Sequence, residues 1–222
     1  MARHDIPLWL LPLTVALVFL LGTHAAWALS VHAGIVPECI PYLEGCTSIS
    51  RAAREGLGNH LFRLLMLPNA LAIGLHWWLS ARWLSATGAR GRTVLGAGLV
   101  AAVALAVYVT FLGTEGEVYR FLRRYGVVVF FGASFLAQVA FLRAGDPGLQ
   151  AAPRIRQALR AICALMLLLG VVHVIALAVA GGSPFQDHFE NALEWWLGLG
   201  LVTWFLVHAW LWKRAGYRLR AA

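Results

Sequence analysis

Apolar residues gather into six blocks separated by short polar stretches. The blocks run at about Pro7–Leu29, His60–Leu79, Thr93–Leu112, Tyr125–Leu142, Ala161–Ala180 and Pro184–Trp212. Roughly 20 apolar residues at 1.5 Å per residue cross the ~30 Å hydrocarbon layer of a bilayer. The pattern predicts an all-α polytopic integral membrane bundle of six transmembrane helices, with residues 1–222 as a single domain. Trp9 and Trp27 bracket the first block, and Trp77, Trp78 and Trp83 mark the far end of the second, as interfacial anchors do. The first block has no small-x-small cleavage pattern at its exit and is read as a membrane helix. Pro68 predicts a kink in the second.

Local signals punctuate the blocks. Ser48 or Ser50 is placed to cap a short surface helix over Arg51–Glu55, with Gly56 and Gly58 ending it. Asp146-Pro147-Gly148 is a turn signal. Gly181-Gly182 breaks the chain before Ser183-Pro184-Phe185-Gln186, which has serine at N-cap, proline at N1 and glutamine at N3. The third block is rich in Gly and Ala and suits close helix packing.

Only 13% of the 222 residues are charged, and the formal net charge is +8. That excess is no nucleic-acid footprint, because the basic residues fall between membrane segments, where they set orientation. Twelve of the 18 lie on the side of the termini and of the second and fourth loops: Arg3, Arg82, Arg90, Arg92, Arg143, Arg154, Arg156, Arg160, Lys213, Arg214, Arg218 and Arg220. Both termini are therefore expected in the cytoplasm. The Arg-, Ala- and Leu-rich composition points to a GC-rich bacterial genome, and so to an inner membrane.

Two polar stretches interrupt the apolar pattern on the opposite, outer side. One is Cys46–Arg63, CTSISRAAREGLGNHLFR; the other is Ser183–Trp196, SPFQDHFENALEWW. Polar groups next to lipid are costly unless they meet one another or water, so the two stretches are expected to face each other. Helical spacing puts Asp187, Asn191 and Glu194 along one face, with Glu190 one turn before Glu194. Glu194 is the acid expected deepest, where a buried carboxylate is protonated or paired with a cation, the candidates being Arg51, Arg54, Arg63, Arg120, Arg123 and Arg124. His60 and His188 near the outer boundary could move protons with Glu194 during work on a lipid ester, while Arg51, Arg54 or Arg63 holds an anionic head group. Each also has a plainer reading: solvated helix ends for Asp187 and Glu190, an interfacial side chain for His60, a structural ion pair for Glu194, and caps for the serines.

Cys39 and Cys46 share one loop and could form a disulfide in an oxidising compartment; Cys163 lies within a hydrophobic block. His24, His32 and His173 lie in the outer half but come from different segments with no H-x-x-x-H spacing, so no metal site and no cofactor is expected. His76 and His208 fall toward the cytoplasmic ends and are read as interfacial.

Three stretches carry a family resemblance: Ser48–Arg63 (SISRAAREGLGNHLFR), Arg123–Gln138 (RRYGVVVFFGASFLAQ) and Phe189–Trp196 (FENALEWW). In order and spacing the chain resembles the Frag/DRAM/Sfk family of six-helix membrane proteins, which includes a post-GPI-attachment lipid-remodelling factor. It differs in having Tyr125 where the family often has histidine, and Gly58-Asn59 in place of a Pro-Glu pair. The resemblance implies lipid-linked work in the outer half of the membrane, with membrane lipids as partners. Two readings stand: lipid handling or remodelling at an outer-leaflet polar site, or a non-catalytic scaffold or lipid sensor. A transporter fits less well, because no half of the chain repeats.

Overall fold

A computed structural model describes residues 5–180 and 183–219. The predicted Gly181-Gly182 break, Arg3 and Arg220 lie outside the described residues. Among the described residues, six helices are long and apolar enough to cross a membrane: α1 (Leu10–His32), α4 (Gly56–Ala86), α5 (Arg92–Phe111), α6 (Glu117–Arg143), α8 (Pro153–Ala180) and α9 (Pro184–Arg214). Three one-turn helices sit in the connections: α2 (Pro41–Glu44), α3 (Ile49–Ala52) and α7 (Pro147–Gln150).

The long helices pack in chain order around a closed ring, α1 to α4, α5, α6, α8 and α9, and α9 returns to α1. Sequential antiparallel neighbours are what short connections allow. The first and last described segments meet at one end of the ring, where Ile6–Pro7 (β1) pairs antiparallel with Arg218–Leu219 (β2). The centre is filled by large rings, among them Trp77, Phe130, Phe141, Trp195, Trp204 and Trp212, each at most 1% exposed. Small residues let these rings in: a Cβ at Gly98 would collide with the Trp77 ring. Helix α8 is the least embraced, with 11% of its apolar span buried against 39–56% for the others, so most of its surface is left to lipid.

The helices are longer than their apolar blocks. α4 starts at Gly56, α6 at Glu117 and α8 at Pro153, each ahead of the hydrophobic run. Hydropathy marks the part of a helix that suits lipid, whereas backbone hydrogen bonding carries the helix on until a cap ends it. α4 also runs on through Pro68 without interruption. The Ser183 cap forms as its sequence predicts, its side chain accepting from the Gln186 amide. Asp146 does more than mark a turn. It is buried, caps α7 by accepting from the Leu149 amide at 2.8 Å, and takes a bond from Thr87 beyond α4 at 3.4 Å.

Two expectations are corrected. The short helix after Ser48 ends at Ala52, and Gly56 and Gly58 open α4 instead of closing the helix before it. Gly58 is there for proximity, because a Cβ would lie 2.8 Å from both the Ala26 carbonyl and the Ser30 hydroxyl of α1. His76 and His208 are not interfacial: both are 0% exposed. α4 continues ten residues past His76, and α9 six past His208, so neither stands at a helix end.

Candidate functional site

The connection between α1 and α4 folds as a small platform at the end of the ring away from the termini. A Cys39–Cys46 disulfide closes it around α2. Gly45 ends α2 in the left-handed region (φ +60°), and a Cβ there would overlap the His188 carbonyl, so only glycine lets the platform touch α9. Ser48 caps α3, accepting from the Arg51 amide at 3.1 Å.

Most of this platform is irregular backbone, whose N–H and C=O groups need partners near hydrocarbon. α9 supplies them side chain by side chain. His188 Nδ1 lies 2.8 Å from the Glu44 carbonyl and must donate, since a carbonyl only accepts. Asn191 Nδ2 donates to Gly45 O at 2.8 Å, Trp195 Nε1 to Thr47 O at 2.9 Å, and Trp196 Nε1 to Tyr42 O at 3.0 Å. Glu194 Oε1 closes the series, accepting from the Ser50 amide at 3.0 Å and from the Ser50 hydroxyl at 2.7 Å. The Ser48 hydroxyl faces the same carboxylate. The α9 stretch therefore meets the first loop through a ladder running along two turns, but over Tyr42–Ser50, of which only Thr47 and Ser50 belong to the expected Cys46–Arg63 stretch.

Other helices hold the platform from its remaining sides. Ser30 of α1 donates to Ala52 O at 2.6 Å. Asn59, buried on α4, donates to Ala53 O at 2.9 Å and to Leu112 O beyond α5 at 3.1 Å. Tyr108 of α5 donates to Ser50 Oγ at 2.9 Å, which completes a Tyr108–Ser50–Glu194 relay across three elements. His24 of α1 lies 2.7 Å from the Leu20 carbonyl through Nδ1, so its Nε2 is the acceptor for the Tyr42 hydroxyl at 3.1 Å. Burial holds the Tyr42 phenol above its ordinary pKa, so it remains a donor to His24.

Glu194 meets hydroxyls and an amide instead of the expected guanidinium. Arg54 is half-buried and acts on Glu194 only through its field, without an ion pair among the described residues. Arg54 in turn lies within the field of Arg123 on α6, which also feels Tyr108 and Arg120. The Arg54 Nε is buried and has no hydrogen-bond partner. Arg63 is half-buried on α4, and Arg51 is exposed.

The other predicted site residues stand apart from the relay. His60 is exposed and makes no hydrogen bond to Glu194. His188 is taken up by the platform. Asp187 is exposed, and Glu190 accepts from Gln186 Nε2 at 2.6 Å along its own helix. Tyr108 and Ser50 are members of the relay that residue type alone did not single out. Their signal was a lone polar position in an apolar helix and a hydroxyl beside a cap.

The space beside the relay is small. A cavity of about 10 Å³ between Tyr108, Glu194 and the rings of Phe19, Phe62 and Phe130 is at the threshold for one water. Among the described residues no three His, Cys, Asp or Glu side chains gather as metal ligands. Comparison with family models, curated proteins and solved structures returns no match.

Proposed function

We propose that this integral membrane protein handles lipid at its outer face, engaging an anionic head group with Arg54 and Arg123. The observation that carries the reading is a pair of half-buried guanidiniums, Arg54 with a buried Nε that has no hydrogen-bond partner, and neither in an ion pair among the described residues. Like charges at a membrane boundary are stabilised by a shared anion, and a phosphate offers the fork geometry arginine prefers. The excess of Lys and Arg on the side of the termini supports an orientation with this end outward and both termini cytoplasmic. The resemblance to the Frag/DRAM/Sfk family points the same way.

Within that reading, binding or sensing is better supported than turnover. The polar groups satisfy one another and leave room for about one water, not for an acyl chain. Remodelling has one specific observation in its favour. Ser50 Oγ lies 2.7 Å from Glu194, within the range of a nucleophile and its general base. In that case Ser50 Oγ would bond to the acyl carbon of a lipid ester as its C–O bond breaks, Glu194 would take the hydroxyl proton and pass it to the departing lipid alcohol, water would then release the acyl group from Ser50, and Tyr108 would hold the hydroxyl in place. His60 and His188, which lie outside the relay, would take no part in that step.

Reconstituted protein tests both. After detergent extraction from mixed liposomes, native mass spectrometry should find phosphatidylglycerol retained over phosphatidylcholine. The double substitution Arg54→Gln/Arg123→Gln should reduce that preference about tenfold, roughly one charge-assisted contact's worth. Equal retention of the two lipids by the wild-type protein would overturn the head-group assignment. Acyl-labelled lipids in the same liposomes report turnover, and release that disappears in Ser50→Ala would establish the remodelling reading.

A further inference from the structure

The ring of helices has one loose seam. α6 meets α8 more sparsely than any other pair of neighbours in the ring, and α8 is the helix least buried by the rest. A groove of about 430 Å³ opens along this seam, lined by Phe131 and Phe135 of α6, Met166, Val171 and Ile175 of α8, and Leu197 of α9. Every residue that lines it is apolar. Two more are glycines, Gly132 and Gly170, and a Cβ at either would stand in open space. Gly58 and Gly98 make room for a neighbouring helix, whereas Gly132 and Gly170 make room that no described part of the chain fills.

The groove has the length of one leaflet. Met166 stands near the middle of α8 and Ile175 toward its platform end. At 1.5 Å per residue that stretch covers about 14 Å, close to half of the ~30 Å hydrocarbon layer. It also borders the relay. Phe131 lines both this groove and the small cavity beside Tyr108 and Glu194, and Leu197 stands one turn of α9 beyond Glu194. Grooves of about 450 Å³ between α5 and α6 and about 510 Å³ between α4 and α5 share no lining residue with that cavity. On α6, Arg124, Val128, Phe131 and Phe135 follow at spacings that keep one face, so an exposed arginine leads down into the groove.

We infer that the groove between α6 and α8 seats one acyl chain of a phospholipid from the leaflet on the platform side. The assignment rests on the lipid reading above and gives its head group a chain. The two ends of the site match the two ends of such a molecule. Arg124, with Arg123 beside it, stands about 10 Å above Phe131 along α6, and the lining below offers apolar surface alone. Lipid tails are as apolar as this lining, so the groove holds a chain by shape and close contact and not by hydrophobicity. A second helix would need small residues along the whole seam, and Phe131, Phe135 and Met166 stand in its way. The relay cavity stays free of the chain, which the Phe131 ring separates from Glu194.

The test uses full-length protein in liposomes that contain phosphatidylglycerol with a diazirine on one acyl chain. Phosphatidylcholine with the same chain goes into a parallel sample. After photolysis, peptide mass spectrometry maps the adducts. Those on Phe131, Val171 and Ile175 should exceed those on Leu71 and Val103, in the two other grooves, by about fivefold. Gly132→Leu and Gly170→Leu fill the groove, and each should bring its adducts down to the level of the others. Gly96→Leu, on α5 and equally open, should leave them unchanged. Equal groove adducts from the two lipids would leave the chain site standing and remove the head-group assignment. Adducts spread evenly over the three grooves would overturn the chain site, even where phosphatidylglycerol is retained over phosphatidylcholine. Wild-type protein alone decides between these results, so the outcome does not depend on any variant folding.

Discussion

Removal of the Glu194 carboxylate is the sharpest test of how the platform is held. In Glu194→Ala the Ser50 amide and hydroxyl lose the acceptor they share at 3.0 and 2.7 Å. Hydrogen bonds to a charged group contribute about 1.5–3 kcal/mol each, but here both donors belong to one residue, so their sum is discounted. Bonds between membrane helices also measure low, about 0.6 kcal/mol on average, because the unfolded chain finds other partners in lipid. An irregular segment has fewer such substitutes for its amides. The expected cost of Glu194→Ala is therefore about 3 kcal/mol. Glu194→Gln keeps an oxygen in the same place and loses only charge assistance, about 1 kcal/mol. Ser50→Ala removes the hydroxyl bond and strands the Tyr108 hydroxyl, for about 2 kcal/mol. A double-mutant cycle between Glu194→Ala and Ser50→Ala should show coupling of about 1–1.5 kcal/mol, with the amide bond remaining outside the cycle. Reversible unfolding in bicelles, followed by tryptophan emission, gives all four values. If Glu194→Ala falls within about 0.5 kcal/mol of wild type, or the coupling vanishes, the carboxylate is not what locks the platform to α9.

Other perturbations separate the remaining contacts. Alkylation without reduction should label none of Cys39 and Cys46, and Cys39→Ser/Cys46→Ser should cost roughly 2–3 kcal/mol for so short a loop, read by the same unfolding assay. Gly45→Ala, with its left-handed backbone and an obstructed Cβ, should destabilise by about 3 kcal/mol or more, whereas Gly34→Ala, equally left-handed but facing open space, should cost about 1 kcal/mol; equal effects would refute the platform–α9 approach. Asn59→Leu strands the Ala53 and Leu112 carbonyls and should lower stability by about 2 kcal/mol while leaving the disulfide intact by mass. Asp146→Ala removes a buried cap and its link to Thr87, and should cost about 1–2 kcal/mol without changing lipid retention at the other end.

Block length and composition alone determined six membrane helices, because crossing a bilayer is a requirement each segment meets by itself. The Ser183 and Ser48 caps were equally local, since a cap and its amide sit three residues apart. That Ser183–Trp196 meets the first loop was also legible, as polar residues beside lipid need partners, although the contacts centre on Tyr42–Ser50 and reach only the start of Cys46–Arg63. Tertiary structure alone decided which groups pair. Ser50 and Glu194 are 144 positions apart, and helical periodicity says which face a side chain is on but not what stands opposite. The carboxylate was therefore assigned an arginine when its partners were a hydroxyl and an amide. His76 and His208 looked like boundary residues because apolar blocks end near them, whereas the helices continue and the ring of six closes over both. Burial at the centre of a bundle depends on all six helices at once, and no window of sequence contains that information.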